Sequence, residues 1–368
     1  MIAVVSCGHR PDDERIYHRQ IKSLLKAGYE IQYFTRFDGD MNLSESGLRH
    51  SNFPRSENSV RTFAKLVEAE LVQTKPDIVH IHEFELLSMA RNVKKSAESK
   101  ILYDVHDTLI AMWDTVSSRK GIIKKLINTG LYYYEKRNLK YVDHVILANP
   151  SFEINRYEKT GLATTVVPNF PLLSFLPEEY GERSGKKILY QGLLSEDRGI
   201  DILIQAFRLV LKAHPDAELM LLGPAKTEEY RNELKKEISR NSNQIQLLDE
   251  IPHKEVWRMM SEAKVGVIPS LDSPRVRFDT PTKLFEYMAS GCAVVATDLK
   301  PVRHHARDSI LYAAPNDIAD LAERIIAILD SDILYNELTG KGQKLIKEKQ
   351  HWGKVENTFL EVFEQLNR

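Results

Sequence analysis

Short apolar, β-branched runs recur down this chain, each followed by a longer stretch whose apolar residues fall three and four apart. A first series of runs lies at 2–5, 31–34, 76–82, 100–106 and 142–147, and a second at 187–191, 218–222, 245–248, 265–268 and 292–297. Helical patterns fill the gaps at 15–27, 60–73, 86–99, 201–214, 228–239 and 254–263, and dominate from 318 onward. Runs without polar alternation suit strands buried on both faces, and strands that alternate with helices form parallel sheets covered on both sides. Around Val166-Val167-Pro168-Asn169-Phe170-Pro171 the alternation breaks, and the stretch to Gly185 is rich in Pro, Gly, Ser and charge, as a linker is. The fold class expected is therefore α/β, with two doubly wound Rossmann-like domains in series and a cleft between them.

Composition narrows the function. At 368 residues, two domains fit better than one core. The 51 Lys+Arg balance 52 Asp+Glu, so no global field points to nucleic acid. Two cysteines, Cys7 and Cys292, make neither a disulfide framework nor a metal-ligand spacing. The start of the chain lacks the pattern of a signal peptide, and no apolar run reaches membrane-spanning length. A cytoplasmic protein is expected, with peripheral attachment to the inner face of a membrane left open.

The most informative stretch is Thr280-Pro281-Thr282-Lys283-Leu284-Phe285-Glu286-Tyr287-Met288-Ala289-Ser290-Gly291. Thr280 suits the N-cap of a helix, Pro281 its first position, and Gly291 its end. Leu284, Phe285 and Met288 supply an apolar stripe. The first-turn amides and the dipole favour a phosphate there, and Lys283 adds a charge at the same end. Thr282 and Glu286, four apart, share a face, which places a carboxylate behind a phosphate site where sugar hydroxyls would meet it. The competing reading is an ordinary capped helix with a solvated Glu286.

In open α/β sheets ligands bind beyond the carboxyl ends of strands. The turn Gly192 to Gly199 is so placed, with Arg198 offering a fork of donors for a pyrophosphate, and so is Gly223; each is also a plausible surface turn. His106 and Asp107 close one run, and His80, His82 and Glu83 close another. No His-x-x-x-His helix supports a metal site, and none is expected. The loop Cys7 to Arg15 carries His9, Arg10, Asp12, Asp13 and Arg15, which either bind a second substrate or pair with one another. Residues 119–137 are basic, apolar and aromatic together, as in helices that lie on an anionic membrane surface and in helices that merely cover a sheet.

Taken in order, these motifs resemble the family 4 glycosyltransferases of the GT-B fold over nearly the whole chain. The resemblance is carried by Asp13-x-Arg15-Ile16, Pro76 to His82, Tyr103-Asp104-Val105-His106-Asp107, Val166 to Asn169, Gly192 to Gly199 and, most specifically, Pro281 to Gly291. It implies an acceptor-binding domain at 1–168 joined by a returning helix at 352–368, and a nucleotide-sugar-binding domain at 169–351. It also implies a retaining, metal-independent hexosyl or N-acetylhexosaminyl transfer from a UDP-sugar, with no cofactor, to a glycan or lipid-linked acceptor in surface polysaccharide biosynthesis. On that resemblance the donor is bound by Gly192, Arg198, Gly223, Ile251, Thr282, Lys283, Leu284 and Glu286. His106, Arg198, Lys283 and Asp279 are the catalytic set, and His9, Arg10, Asp13, Arg15, His82, Glu83 and Asp107 face the acceptor.

Two departures from the family pattern stand out. Many members carry a second glutamate eight positions before the equivalent of Glu286; here that position is Phe278, leaving Asp279 or the amides of the loop 275–280 to hold the sugar. The basic residue often found after the first glycine of the Gly192 turn is replaced by Leu193 and Leu194, so that Arg275 or Arg277 would have to compensate. A nucleotide-sugar epimerase of the same architecture, and a catalytically silent partner subunit, are the competing functions. With no carboxylate nucleophile evident, front-face attack by the acceptor hydroxyl is the mechanism expected.

Overall fold

The computed structural model describes the chain except for residues 40, 42, 106–120, 150–156, 177–182, 184, 240–242, 274–275 and 279, and of 253, 254 and 278 the backbone alone. The chain forms two compact units, Met1–Asn169 with Gly353–Arg368, and Phe170–Trp352. Each is a parallel sheet flanked by helices.

The first unit holds seven strands: β1 (Ile2–Ser6), β2 (Ile31–Arg36), β3 (Leu48–Phe53), β4 (Ile78–Ile81), β5 (Lys100–Val105), β6 (His144–Leu147) and β7 (Ala163–Val166). They lie in the order β3-β2-β1-β4-β5-β6-β7, every pair parallel. The chain winds outward from β1 to β3 and then restarts on the other side of β1 with β4. That reversal opens a crevice at the carboxyl ends of β1 and β4. Val5, Val79, Ile81, Ile101 and Val145 form one buried layer with the helices Val60–Thr74 and Leu87–Ser96. The helix Glu356–Leu366 belongs to this unit: Phe359 and Phe363 are fully buried, Phe363 sits edge-on to His80, and Glu356 accepts a hydrogen bond from Ser23 at 2.8 Å.

The second unit holds β8 (Lys187–Gln191), β9 (Glu218–Leu222), β10 (Ile245–Leu248), β11 (Val265–Ile268), β12 (Ala293–Thr297) and β13 (Leu311–Ala313), in the order β10-β9-β8-β11-β12-β13. Its reversal falls between β8 and β11. Ile188, Tyr190, Leu219, Leu221, Val265, Val267 and Val295 pack against the helices Ile200–Ala213 and Ile318–Asp330. Among the described residues no helix is long and apolar enough to cross a membrane.

Candidate active site

In the second unit, the groups that suit a diphosphate gather where β8 ends. The helix Thr282–Ser290 starts one residue later than its sequence suggests. Pro281 is extended in the capping position, among the described residues no side chain caps the first turn, and the Thr280 hydroxyl is buried without a partner. Thr280 is one residue too distant to serve as the cap. A helix start left without a side-chain cap is what an anion-binding terminus requires. Gly291 ends the helix, and the Cys292 N–H returns to the Tyr287 carbonyl at 2.9 Å.

Lys283 is only 8% exposed, and its ammonium lies 4.1 Å from the centroid of the Tyr190 ring. Gly192 follows directly after β8 with φ +121, and a Cβ there would stand 2.9 Å from Lys283 Nζ. Gly223, after β9, has φ +134, and its Cβ would meet the Gly192 carbonyl oxygen at 2.3 Å. The two turns therefore stack backbone on backbone, a closeness that only glycine permits. Arg198 ends a short turn (Glu196–Arg198) and is half-buried. Burial raises the Tyr190 phenol well above its usual range, and the nearby Arg198 guanidinium acts in the opposite sense. Lys283 thus sits against the Tyr190 ring at the switch point of this sheet, and Arg198 follows on the turn after β8.

Glu286 lies one helical turn beyond Thr282 and is 7% exposed, which removes its carboxylate from bulk water and weighs against the solvated reading. Ile251, three residues past β10, is half-buried. Leu284 is a correction: its side chain is fully buried in the core and its N–H already donates to the Pro281 carbonyl at 3.0 Å, so it holds the helix rather than a ligand. Arg277 is paired with Asp272 through Nε at 2.9 Å. Asp279, Arg275, His106 and Asp107 lie outside the described residues, as does the Phe278 side chain.

In the first unit, Glu83 organises the switch point. Its carboxylate accepts from Ser6 Oγ (2.7 Å), the Cys7 N–H (2.9 Å), the Gly8 N–H (2.8 Å) and His9 Nδ1 (2.9 Å), tying the end of β4 to the loop after β1. Burial alone would raise Glu83, but the hydrogen bond and charge of His9, with those from Cys7 and Ser6, prevail and lower its pKa. Burial likewise works against His9⁺, yet Glu83 outweighs it and carries the imidazole up to about 9. Burial, then Glu83, push the Cys7 thiol far up, so it stays protonated and is no nucleophile.

Because His9 is raised, its stabilising share is complete below the ordinary histidine range and is lost as pH rises through about 9. Glu83, being lowered, gives its share above the ordinary carboxylate range and loses it as pH falls through its depressed value. An NMR titration is expected to place the His9 midpoint near 9, and Glu83→Gln to return it toward the ordinary range. A wild-type midpoint at 6.5 would remove the pair.

Three acceptor-facing expectations are corrected here. Asp13 caps the next helix, accepting from the Arg15 and Ile16 amides at 2.9 Å each. Arg15, 3% exposed, spends its guanidinium inside the unit: Nε and Nη2 hold Asp104 at 3.2 and 2.9 Å, and Nη1 reaches the Val167 carbonyl and Asn169 Oδ1. His82 is 3% exposed and its ring lies tilted against that of His80, both within 4 Å of Asp104 Oδ2. Arg10 bonds Asp12 at the surface, at 3.0 Å, so the mutual-pairing alternative describes it.

The helix that carries Arg15 explains the burial. Glu14–Ile21 is π-helical, a form whose wider turn brings residues five apart to one side. Arg15 and Gln20 accordingly both reach Asp104, Gln20 Nε2 at 2.6 Å. His80, His82 and Asp104 offer ligand atoms within 4.8 Å of one another, but the guanidinium already neutralises Asp104, and a cation there would face a buried like charge. This network was invisible to sequence reasoning. The only trace was an Arg and a Gln five apart, a spacing that an α-helix does not align.

Residues 185–331 match the family model described as Glycosyl transferases group 1. The chain is 24% identical over 303 residues to the phosphatidyl-myo-inositol mannosyltransferase of Mycobacterium leprae, covering 80% of this chain and 75% of that protein. Of solved structures, the sucrose-phosphate synthase from Thermosynechococcus elongatus superposes with a TM-score of 0.79 at 19% identity, over 99% of this chain and 98% of the other. Anabaena Alr3699/HepE in complex with UDP-glucose gives 0.76 at 14% identity, over 99% of both chains. Segment 185–331 is thus a group 1 glycosyltransferase domain, and the chain as a whole is a glycosyltransferase of the GT-B fold.

Proposed function

We propose that this enzyme transfers a sugar from a uridine diphosphate donor to a lipid-linked acceptor or growing glycan, with retention and without a metal ion. The observation that carries the reading is Lys283, on the first turn of the helix Thr282–Ser290, held against the Gly192 turn that leads on to Arg198. Breaking the anomeric bond leaves negative charge on the departing diphosphate, and preorganised cations and amides stabilise such charge. These groups would do what a divalent ion does elsewhere. Glu286 would accept from the ribose hydroxyls. Support for the uridine donor comes from the Anabaena HepE complex with UDP-glucose, and for a lipid-linked acceptor from the name of the mycobacterial relative. Retention and front-face attack rest on the family resemblance.

A thermal-shift comparison of UDP, GDP and ADP, made in the presence of EDTA, tests the reading. UDP is expected to stabilise the protein most, and Glu286→Ala to weaken its binding about ten- to a hundredfold, the range for hydrogen bonds to a charged acceptor. A larger shift with GDP or ADP, or a UDP shift abolished by EDTA, would overturn the donor or the metal independence respectively.

A further inference from the structure

The helix Gly121–Asn138 is built inside out. A helix that covers a sheet turns its apolar side inward and its lysines outward. Here the side chain taken furthest from water is a carboxylate: Glu135 is 2% exposed and accepts from the Tyr157 hydroxyl at 2.7 Å. Ile122, Leu126 and Tyr133 are 79%, 66% and 62% exposed. Spaced four and seven apart, these three fall along one line of the helix surface. Lys125 and Lys136 border that line on one side and Arg137 on the other, all exposed. Beside the same helix lies a cavity of about 460 Å³ where Lys136, Lys140 and Lys159 meet the apolar side chains of Leu139 and Leu162.

This combination selects its partner. A nucleic acid would engage the lysines and leave the isoleucine and leucine in water. A second copy meeting the same face would bring the lysines of both copies together. An anionic bilayer satisfies both halves at once, with phosphates for the ammonium groups and an acyl boundary for the stripe. We propose that this face seats the protein on an anionic lipid surface, with Ile122, Leu126 and Tyr133 at the acyl boundary and Lys125, Lys136 and Lys140 among the headgroup phosphates. The lipid-linked acceptor gives this docking its purpose, but the geometry stands without it.

Sedimentation of the full chain with vesicles of phosphatidylcholine, with and without phosphatidylglycerol, tests the proposal. Binding is expected only to the anionic vesicles and to weaken steeply with salt. The double change Ile122→Glu with Leu126→Glu is expected to lower partitioning about a hundredfold, and Lys125→Glu with Lys136→Glu about thirtyfold. The UDP-induced thermal shift of each variant keeps the two readings apart. A preserved shift with no wild-type binding to anionic vesicles, or with binding that both variants leave unchanged, overturns the docking and spares the donor assignment. Vesicle binding without any nucleotide shift does the reverse. Concentration-dependent dimers that Ile122→Glu abolishes would assign the face to a second copy and overturn the proposal.

Discussion

Asp104→Ala is expected to cost about 3–5 kcal/mol of stability, the range for removing one partner of a buried ion pair. The change leaves Arg15, 3% exposed, with Nε and Nη2 unanswered and Gln20 Nε2 without its acceptor. A domain holds only about 5–15 kcal/mol in total, so the first unit would sit near its unfolding threshold at ambient temperature. Urea unfolding followed by far-UV circular dichroism checks this. Replacing both partners with apolar residues, Arg15→Met with Asp104→Leu, should recover much of the loss, because no charge then remains buried. If Asp104→Ala lowered the unfolding free energy by less than about 1 kcal/mol, the pair would be ornamental and the burial of Arg15 would need another cause.

The second large effect concerns turnover. Lys283→Ala and Arg198→Ala are each expected to slow transfer about a hundredfold or more, in line with the removal of one preorganised group opposite developing charge. Stability should move far less, since neither change opens a large apolar void. Gly192→Ala offers a sharper check: its Cβ would stand 2.9 Å from Lys283 Nζ and displace the ammonium. Steady-state rates should therefore show strong coupling, with Gly192→Ala costing much less activity once Lys283 is already alanine. Additive losses in that cycle would mean that the glycine serves the backbone alone and that Lys283 is placed by something else.

What the sequence revealed and what it hid divide along physical lines. Strands with neighbours on both sides, such as β1, β4, β8 and β11, are apolar at most positions, and their runs are plain to read. The three strands that escaped notice, β3, β7 and β13, all lie at sheet edges. There one side faces solvent, and sequences such as Leu48-Arg49-His50-Ser51-Asn52-Phe53 and Ala163-Thr164-Thr165-Val166 carry no continuous apolar signal. The same limit governs the site. Lys283, Thr282 and Glu286 belong to one helix, so spacing alone groups them. Arg15 and Asp104 are 89 residues apart, and nothing local marks one as the other's partner. A strand end read from sequence likewise cannot tell a buried His82 from a half-buried His9.

The return of residues 353–368 to the first unit also sets an order of events during synthesis. Phe170–Trp352 is a single continuous stretch whose core can close as it leaves the ribosome, whereas the layer around His80 lacks Phe359 and Phe363 until that whole stretch has emerged. The half that is made first is therefore the half that finishes last. In the interval His80 and the apolar ground beneath those two phenylalanines stand uncovered, and that is when the nascent chain is most open to aggregation or to capture by a chaperone.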